Sequence, residues 1–268
     1  VRGGFRQGEW YDSERELSSP PVASSGSGTL PSTIAVEGMT FRRIEAGESS
    51  FLMLDREVSR ERYATFLLDR PVWRPENRQE LLTAGSATAD YLADWGSPIS
   101  SGEPVRFVSW FAADAFARWL TTRLHATNPA YRNRLEARLP REAEWRVAAA
   151  LEGAPGSDAS APARITFESD GERPYPATAA RRSDAGFYDL YGNLWEWSGD
   201  WYTPSPEASE LEHSSAPPIA GAERVVQGGS FANSERDITG DLRGSQPPSW
   251  CSPYLGFRVV IAPVQEEI

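Results

Sequence analysis

The chain has 268 residues, 40% of them hydrophobic and ten of them tryptophan, enough for one substantial core or for a domain plus a tail. Its net charge is −11, with 38 acidic residues against 27 basic ones, all arginine; such a chain repels phosphate backbones, which argues against a nucleic-acid partner. No run reaches the roughly 18 apolar residues of a membrane span, and the single cysteine, Cys251, permits neither an intrachain disulfide nor a zinc cluster of cysteines.

The chain begins at Val1, as expected of a processed form or an excised fragment. Residues 1–35 are expected to form an N-terminal segment and linker. Phe5, Trp10 and Tyr11 come first, with docking on the domain left open for Trp10 and Tyr11. From Ser13 to Thr33, Ser, Pro, Gly and Glu carry too little apolar surface to offset the entropy of ordering. A domain is expected over 36–263, with a frayed tail at 264–268. Residues 36–56 read as a hairpin: Met39, Phe41 and Ile44 lead into a turn at Glu45–Glu48, and Phe51, Leu52, Met53 and Leu54 follow. Ser59 stands where a helix N-cap belongs, with Glu61 in the first turn. Tyr63, Phe66 and Leu67 form that helix's apolar stripe, and Pro71 ends it. Residues 70–103 read as a partly helical excursion over the surface, with Trp73, Leu81, Leu82, Tyr91, Leu92 and Trp95 as apolar anchors.

Ser109 caps the next helix, which places Ala112, Ala115, Phe116, Trp119 and Leu120 on one face, with His125 near its end. A third helix starts after Pro140, turns Trp145, Ala148 and Ala149 inward, and stops at Gly153–Gly156. Residues 154–186 and 204–222 read as loops. Val225 and Val226 lead through Gly228 and Gly229 to Phe231 as a strand, and Phe257, Val259 and Ile261 alternate in the last strand.

Residues 187–202 gather Trp195, Trp197 and Trp201 with Asp189, Glu196 and Asp200. Each tryptophan has about 150–250 Å² to bury. The carboxylates follow only if a cation or backbone N–H groups satisfy them. Gly192 and Gly199 permit the tight turns. The stretch reads as an irregular, buried hub.

Its Gly-Asn-Leu-Trp-Glu-Trp segment resembles the signature of the formylglycine-generating-enzyme family, the sulfatase-modifying-factor domain. Four further stretches agree in order: Val36–Met39, Val58–Tyr63, Pro104–Trp110 and Arg138–Trp145. So do Gly228–Phe231 and Gly256–Arg258. The resemblance runs from Val36 to Pro263 and implies an α+β, C-type-lectin-like fold with much irregular backbone. Members of this family usually carry a threonine cap where this chain has Arg141, a loss of about 1 kcal/mol.

The resemblance also implies chemistry. The family's oxidase binds copper through two cysteines just after the Gly-Gly-Ser stretch; soft thiolates suit Cu(I). The matching positions here are Asn233 and Ile238, so copper and formylglycine-generating activity are not expected. Iron-dependent relatives use histidines, but His125 and His213 are far apart, so no iron is expected either. A calcium site is the expected metal chemistry, with Asp189, the Gly192 and Leu194 carbonyls and Glu196 as ligands. The rival reading is that Asp189 and Glu196 merely accept backbone hydrogen bonds.

The candidate ligand face is Trp195, Ser230, Asn233, Arg236, Arg243, Trp250 and Tyr254, with Arg243 also read as an internal tie and Trp250 as core. The reading favoured is a non-catalytic, calcium-stabilised module binding a protein or small molecule, located outside the cytoplasm. A divergent oxidoreductase using the same groove and a structural docking domain are the alternatives.

Overall fold

The computed structural model describes residues 4–6, 9–11, 30–98, 100–152, 174, 183–204, 221–233 and 237–264. β1 (Gly4–Arg6) and β2 (Glu9–Tyr11) form a small antiparallel pair, so Trp10 and Tyr11 fall on its second strand. The main sheet runs β3-β4-β5-β11-β6, from β3 (Thr33–Val36), β4 (Met39–Ala46), β5 (Ser49–Leu54), β6 (Leu135–Arg138) and β11 (Val260–Pro263). The 36–56 hairpin is therefore β4 and β5, paired from Phe41↔Leu54 to Ala46↔Ser49. It has a third strand in front of it. Residues 33–35 of this strand lie inside the stretch read as linker, yet the strand pairs with β4 and buries Val36.

This sheet is covered on both faces, which explains the unbroken apolar runs of β5 and β11. Leu52, Leu54, Phe257, Val259 and Ile261 point into a cluster with Tyr63, Phe66, Phe116 and Trp119. Phe51, Met53, Val260 and Ala262 point the other way, against Trp145, Ala148, Phe187 and Leu190. The alternation read at Phe257, Val259 and Ile261 is half of the pattern.

On the first face, α1 (Arg60–Asp69) is capped by the Ser59 hydroxyl, which accepts from the Arg62 N–H at 3.4 Å. Ser109 caps α3 (Trp110–Thr127) in the same way, at 3.2 Å from the Ala112 nitrogen. The inward face of α3 includes Ala113, Ala117 and Leu124, while Ala115 is only half-buried. Residues 70–103, which include α2 (Arg78–Thr83), do not simply ride over the surface. Trp73, Leu81, Tyr91 and Leu92 are all buried in the first cluster. The Tyr91 hydroxyl bonds the Tyr63 hydroxyl and the Trp73 carbonyl at 2.8 Å each. Asp94 holds this segment through Arg106 at 2.8 Å and Arg60 at 3.6 Å.

On the second face lies α4 (Glu142–Glu152), whose first turn is capped from elsewhere. The Glu142 N–H donates to the Asp200 carboxylate at 2.5 Å, and the Arg141 N–H to Glu144 at 2.8 Å. A remote aspartate thus satisfies the first N–H of the helix, and a backward-reaching glutamate the N–H of Arg141, the position at which the resemblance leads one to expect a threonine. The stop at Gly153–Gly156 lies outside the described residues.

The second sheet runs β10-β7-β8-β9, from β7 (Trp195–Trp201), β8 (Arg224–Gln227), β9 (Arg243–Gln246) and β10 (Leu255–Gly256). β10 is parallel to β7; the other pairs are antiparallel. The second half of the hub is therefore a strand, with an irregular register against β8 between Trp197 and Trp201. No helix among the described residues is long and apolar enough to cross a membrane.

Candidate functional site

Residues 187–194 make the irregular half of the hub. Asp189, Gly192 and Asn193 have φ of 53°, 87° and 57°. Asp and Asn reach this region more readily than other side chains, and contacts from outside fix them in it. Three backbone bonds do this: Tyr188 N–H to the Asp55 carbonyl, Gly192 N–H to Gly228, and Phe231 N–H to Asn193, each 2.8 Å. Gly228, at φ 95°, has no room for a side chain: a Cβ would lie 2.8 Å from the Leu190 carbonyl.

Glu196 is buried, and its hydrogen bonds come from side chains rather than backbone N–H groups. Arg258, of the Gly-Phe-Arg segment, grips both carboxylate oxygens, Nε to Oε2 and Nη2 to Oε1, each at 2.6 Å. The Trp145 indole N–H adds a third bond, to Oε2 at 2.9 Å. Arg258 Nη2 also reaches the carbonyls of Tyr188 and Asp189, at 3.0 and 3.3 Å, tying the strand to the turn.

Glu57 has no part in the expected ligand set, and the structure brings it to the hub. It is buried and accepts from Asn193 Nδ2 at 2.7 Å and from the Leu194 N–H at 3.2 Å. No ion pair within 4.0 Å neutralises it among the described residues. Burial pushes its carboxyl well above the ordinary range, and repulsion from Asp189 and Glu196 adds to the rise. Its position just ahead of Val58–Tyr63 is the signal that could have singled it out.

The expected calcium ligands are thus together on one turn and the start of β7, with Asp189 buried at 5% exposure. They fit a hard cation by chemistry. Every donor is an oxygen, and Glu196 Oε1 accepts one N–H bond, which leaves it a second lone pair. Among the described residues no three His, Cys, Asp or Glu side chains converge as a metal group. A cation here would therefore depend on the Gly192 and Leu194 carbonyls.

The candidate ligand face separates into inner and outer members. Ser230 is buried, and its N–H and hydroxyl both bond Asn233 Oδ1, at 2.9 and 3.1 Å. Asn233 therefore closes a turn. Ile238 is core, packed with Trp145, Phe187 and Tyr191 and lying over Gly229. Arg243 is an internal tie: its Nε and Nη2 meet the Glu142 carboxylate at 2.7 and 2.9 Å, and Nη1 the Thr203 carbonyl at 2.8 Å. Trp195 is half-buried beside Gly244. Trp250 and Tyr254 face outward, at 46% and 42% exposure, and Phe231 packs against Tyr254 with ring centres 5.3 Å apart. Arg236 and His213 lie outside the described residues; His125 bonds the Leu135 carbonyl at 2.7 Å. Cys251 is buried in the first cluster. A separate cleft of ≈ 340 Å³ opens at the N-terminus of α1, between Gly38–Thr40, Leu54–Arg62 and Gly102, away from this face.

Comparison with known proteins agrees with the scaffold. A family model described as the sulfatase-modifying factor enzyme 1-like domain matches residues 22–263. The formylglycine-generating enzyme of Streptomyces coelicolor is 31% identical over 179 residues, covering 58% of this chain and 51% of that protein. The serine/threonine-protein kinase Pkn1 of Chlamydia trachomatis serovar L2 is 30% identical over 162 residues, covering 58% of this chain and 24% of that one. The chain thus spans about half or less of the length of these relatives. Treponema denticola variable protein 1 has the same fold, with a TM-score of 0.56 and 22% identity over 86% of this chain and 98% of its own. The α+β, C-type-lectin-like architecture is accordingly the one present.

Proposed function

The chain belongs to the sulfatase-modifying factor enzyme 1-like family, and on that premise we propose that it is a non-catalytic binding module on this scaffold, stabilised by calcium at the hub. The observation that carries the reading is what fills the two positions where the family's oxidase has its thiols. Asn233 is committed to the Ser230 turn and Ile238 to the core. Neither can hold copper as a thiolate. The ligand, a protein or small molecule, meets Trp250 and Tyr254, the large aromatic side chains that the 230–254 segment turns outward. The calcium part is supported by the oxygen-only donor set of the turn and by the buried carboxylates around it.

One experiment separates this from the rival oxidoreductase, which the formylglycine-generating enzyme among the relatives keeps in view. The purified chain is incubated with copper, oxygen and a cysteine-containing sulfatase-type peptide, and the peptide is followed by mass spectrometry. No conversion is expected. Copper-dependent conversion of cysteine to the aldehyde overturns the non-catalytic reading. Glycan and peptide arrays then locate the face. Any hit is expected to vanish in the Trp250→Ala/Tyr254→Ala variant, and a hit that survives places the ligand elsewhere.

A further inference from the structure

We propose that Glu57 is the positioning residue of the hub's cation loop, a role that rests on the calcium reading above. The argument begins with one peptide group. The Asn193–Leu194 peptide is held at both ends: Phe231 N–H donates to its carbonyl at 2.8 Å, and its own N–H donates to Glu57 at 3.2 Å. The Asn193 side chain is held by the same carboxylate, at 2.7 Å. Two anchors on one peptide fix its plane. That plane restrains the two peptides on either side of it, which carry the Gly192 and Leu194 carbonyls. These are the two backbone ligands of the expected set. Asn193 is also left-handed, at φ 57°, a region that Asn reaches more readily than most side chains and that these contacts fix here.

The charge argues the same way. Glu57 is buried, Asp189 and Glu196 lie close enough to repel its charge, and Arg258 offsets only part of that repulsion and of the burial. A buried carboxylate that serves only as a hydrogen-bond acceptor is an expensive choice, since a neutral amide oxygen does the same task. A divalent cation on the neighbouring carbonyls repays the charge. Glu57 also lines the ≈ 340 Å³ cleft, beside Asp55, Arg56, Glu61 and Arg62. Both its oxygens accept N–H bonds from the turn, and the part proposed for it is to aim the neighbouring ligands.

The test uses Ca²⁺ and Tb³⁺ themselves on the purified chain. Ca²⁺ is titrated calorimetrically, and Tb³⁺ emission is excited through the hub tryptophans. Tb³⁺ lifetimes in H₂O and D₂O count the waters on the metal. Glu57→Gln is expected to weaken binding about 10–100-fold, the usual loss when a second-layer partner is removed. It is also expected to add at least one water as a carbonyl swings away. A merely structural Glu57 would lower the melting temperature and leave the water count alone. Asn193→Gly keeps the left-handed turn but drops the Nδ2 contact, and it serves if Glu57→Gln does not fold. It should weaken Tb³⁺ severalfold. Wild-type affinity and water count in a folded Glu57→Gln, or in Asn193→Gly if Glu57→Gln does not fold, overturn the positioning role while leaving the calcium reading intact. A wild-type chain that binds neither ion overturns both.

Discussion

Replacing Arg258 by methionine asks whether the hub is held from inside by its ion pair. The guanidinium is 0% exposed and its partner Glu196 1%. Methionine roughly keeps the stem and loses two 2.6 Å bonds to Glu196 and the 3.0 Å bond to the Tyr188 carbonyl. What remains is a buried carboxylate that still accepts from the Trp145 indole at 2.9 Å. Breaking a buried pair from one side costs about 3–5 kcal/mol, because the abandoned charge stays in a low-dielectric site. At about 2–4 °C per kcal/mol for a chain of this size, the melting temperature should fall by roughly 10 °C. Urea unfolding in chelator measures the free energy directly. The Glu196→Gln/Arg258→Met double variant leaves no charge behind, so it should lose clearly less than the sum of the single losses. A single variant within about 1 kcal/mol of wild type, or additive losses, would refute this account of the hub.

Further outcomes follow from Asp200, at the far end of the hub, and from Cys251, buried outside it. Asp200→Ala should cost about 1 kcal/mol by uncapping α4, measured in the same urea assay. Burial raises the Asp200 carboxyl above its ordinary range, against the lowering effect of the Glu142 N–H. The folded state therefore holds that proton more tightly. The stability this contributes is present below the ordinary carboxylate range and is lost as pH rises through the raised folded value. Asp200→Asn keeps an oxygen acceptor and cannot ionise, so its stability should vary less with pH over that window; an unchanged profile would count against it. Cys251, pushed up to about 11 by burial, should react with thiol reagents at pH 8 far more slowly in the native chain than in urea. Its contribution to stability should be lost as pH rises from about 9 to about 11. Native labelling at the rate of an open thiol would contradict its placement.

The parts of the fold that were legible in the sequence are those set by neighbours in the chain. Ser59 and Ser109 cap α1 and α3 because a cap needs only the next three residues. The 187–194 turn was legible from its glycine and aromatic residues. Sheet coverage was harder to read: an apolar run such as Phe51–Leu54 does not say that each alternate residue has its own core, and it took α3 on one side and α4 on the other to show it. Thr33–Val36 was hidden for the opposite reason, since Thr33 and Ala35 add little apolar surface and the strand exists through its pairing with β4.

The site divides along the same line. Asp189, Gly192, Leu194 and Glu196 are read together because the family resemblance matches them as one short stretch, but their electrostatic partners lie far away in the chain. Arg258 meets Glu196 across 62 positions, and Glu57 meets Leu194 across 137. Arg258 stands in a segment that marked the family without a role, and Glu57 falls one residue ahead of another. Resemblance places such residues in order; only the folded chain says which charge answers which. The same holds for Asn233 and Ile238. The loss of a thiol pair is visible in the letters alone. That Ile238 then joins Trp145 and Phe187 in the core, while Asn233 closes the Ser230 turn, is visible only in three dimensions. Those two contacts make the change an accommodated part of the fold, so restoring cysteine at Ile238 would remove apolar packing from the core as well as add a thiol.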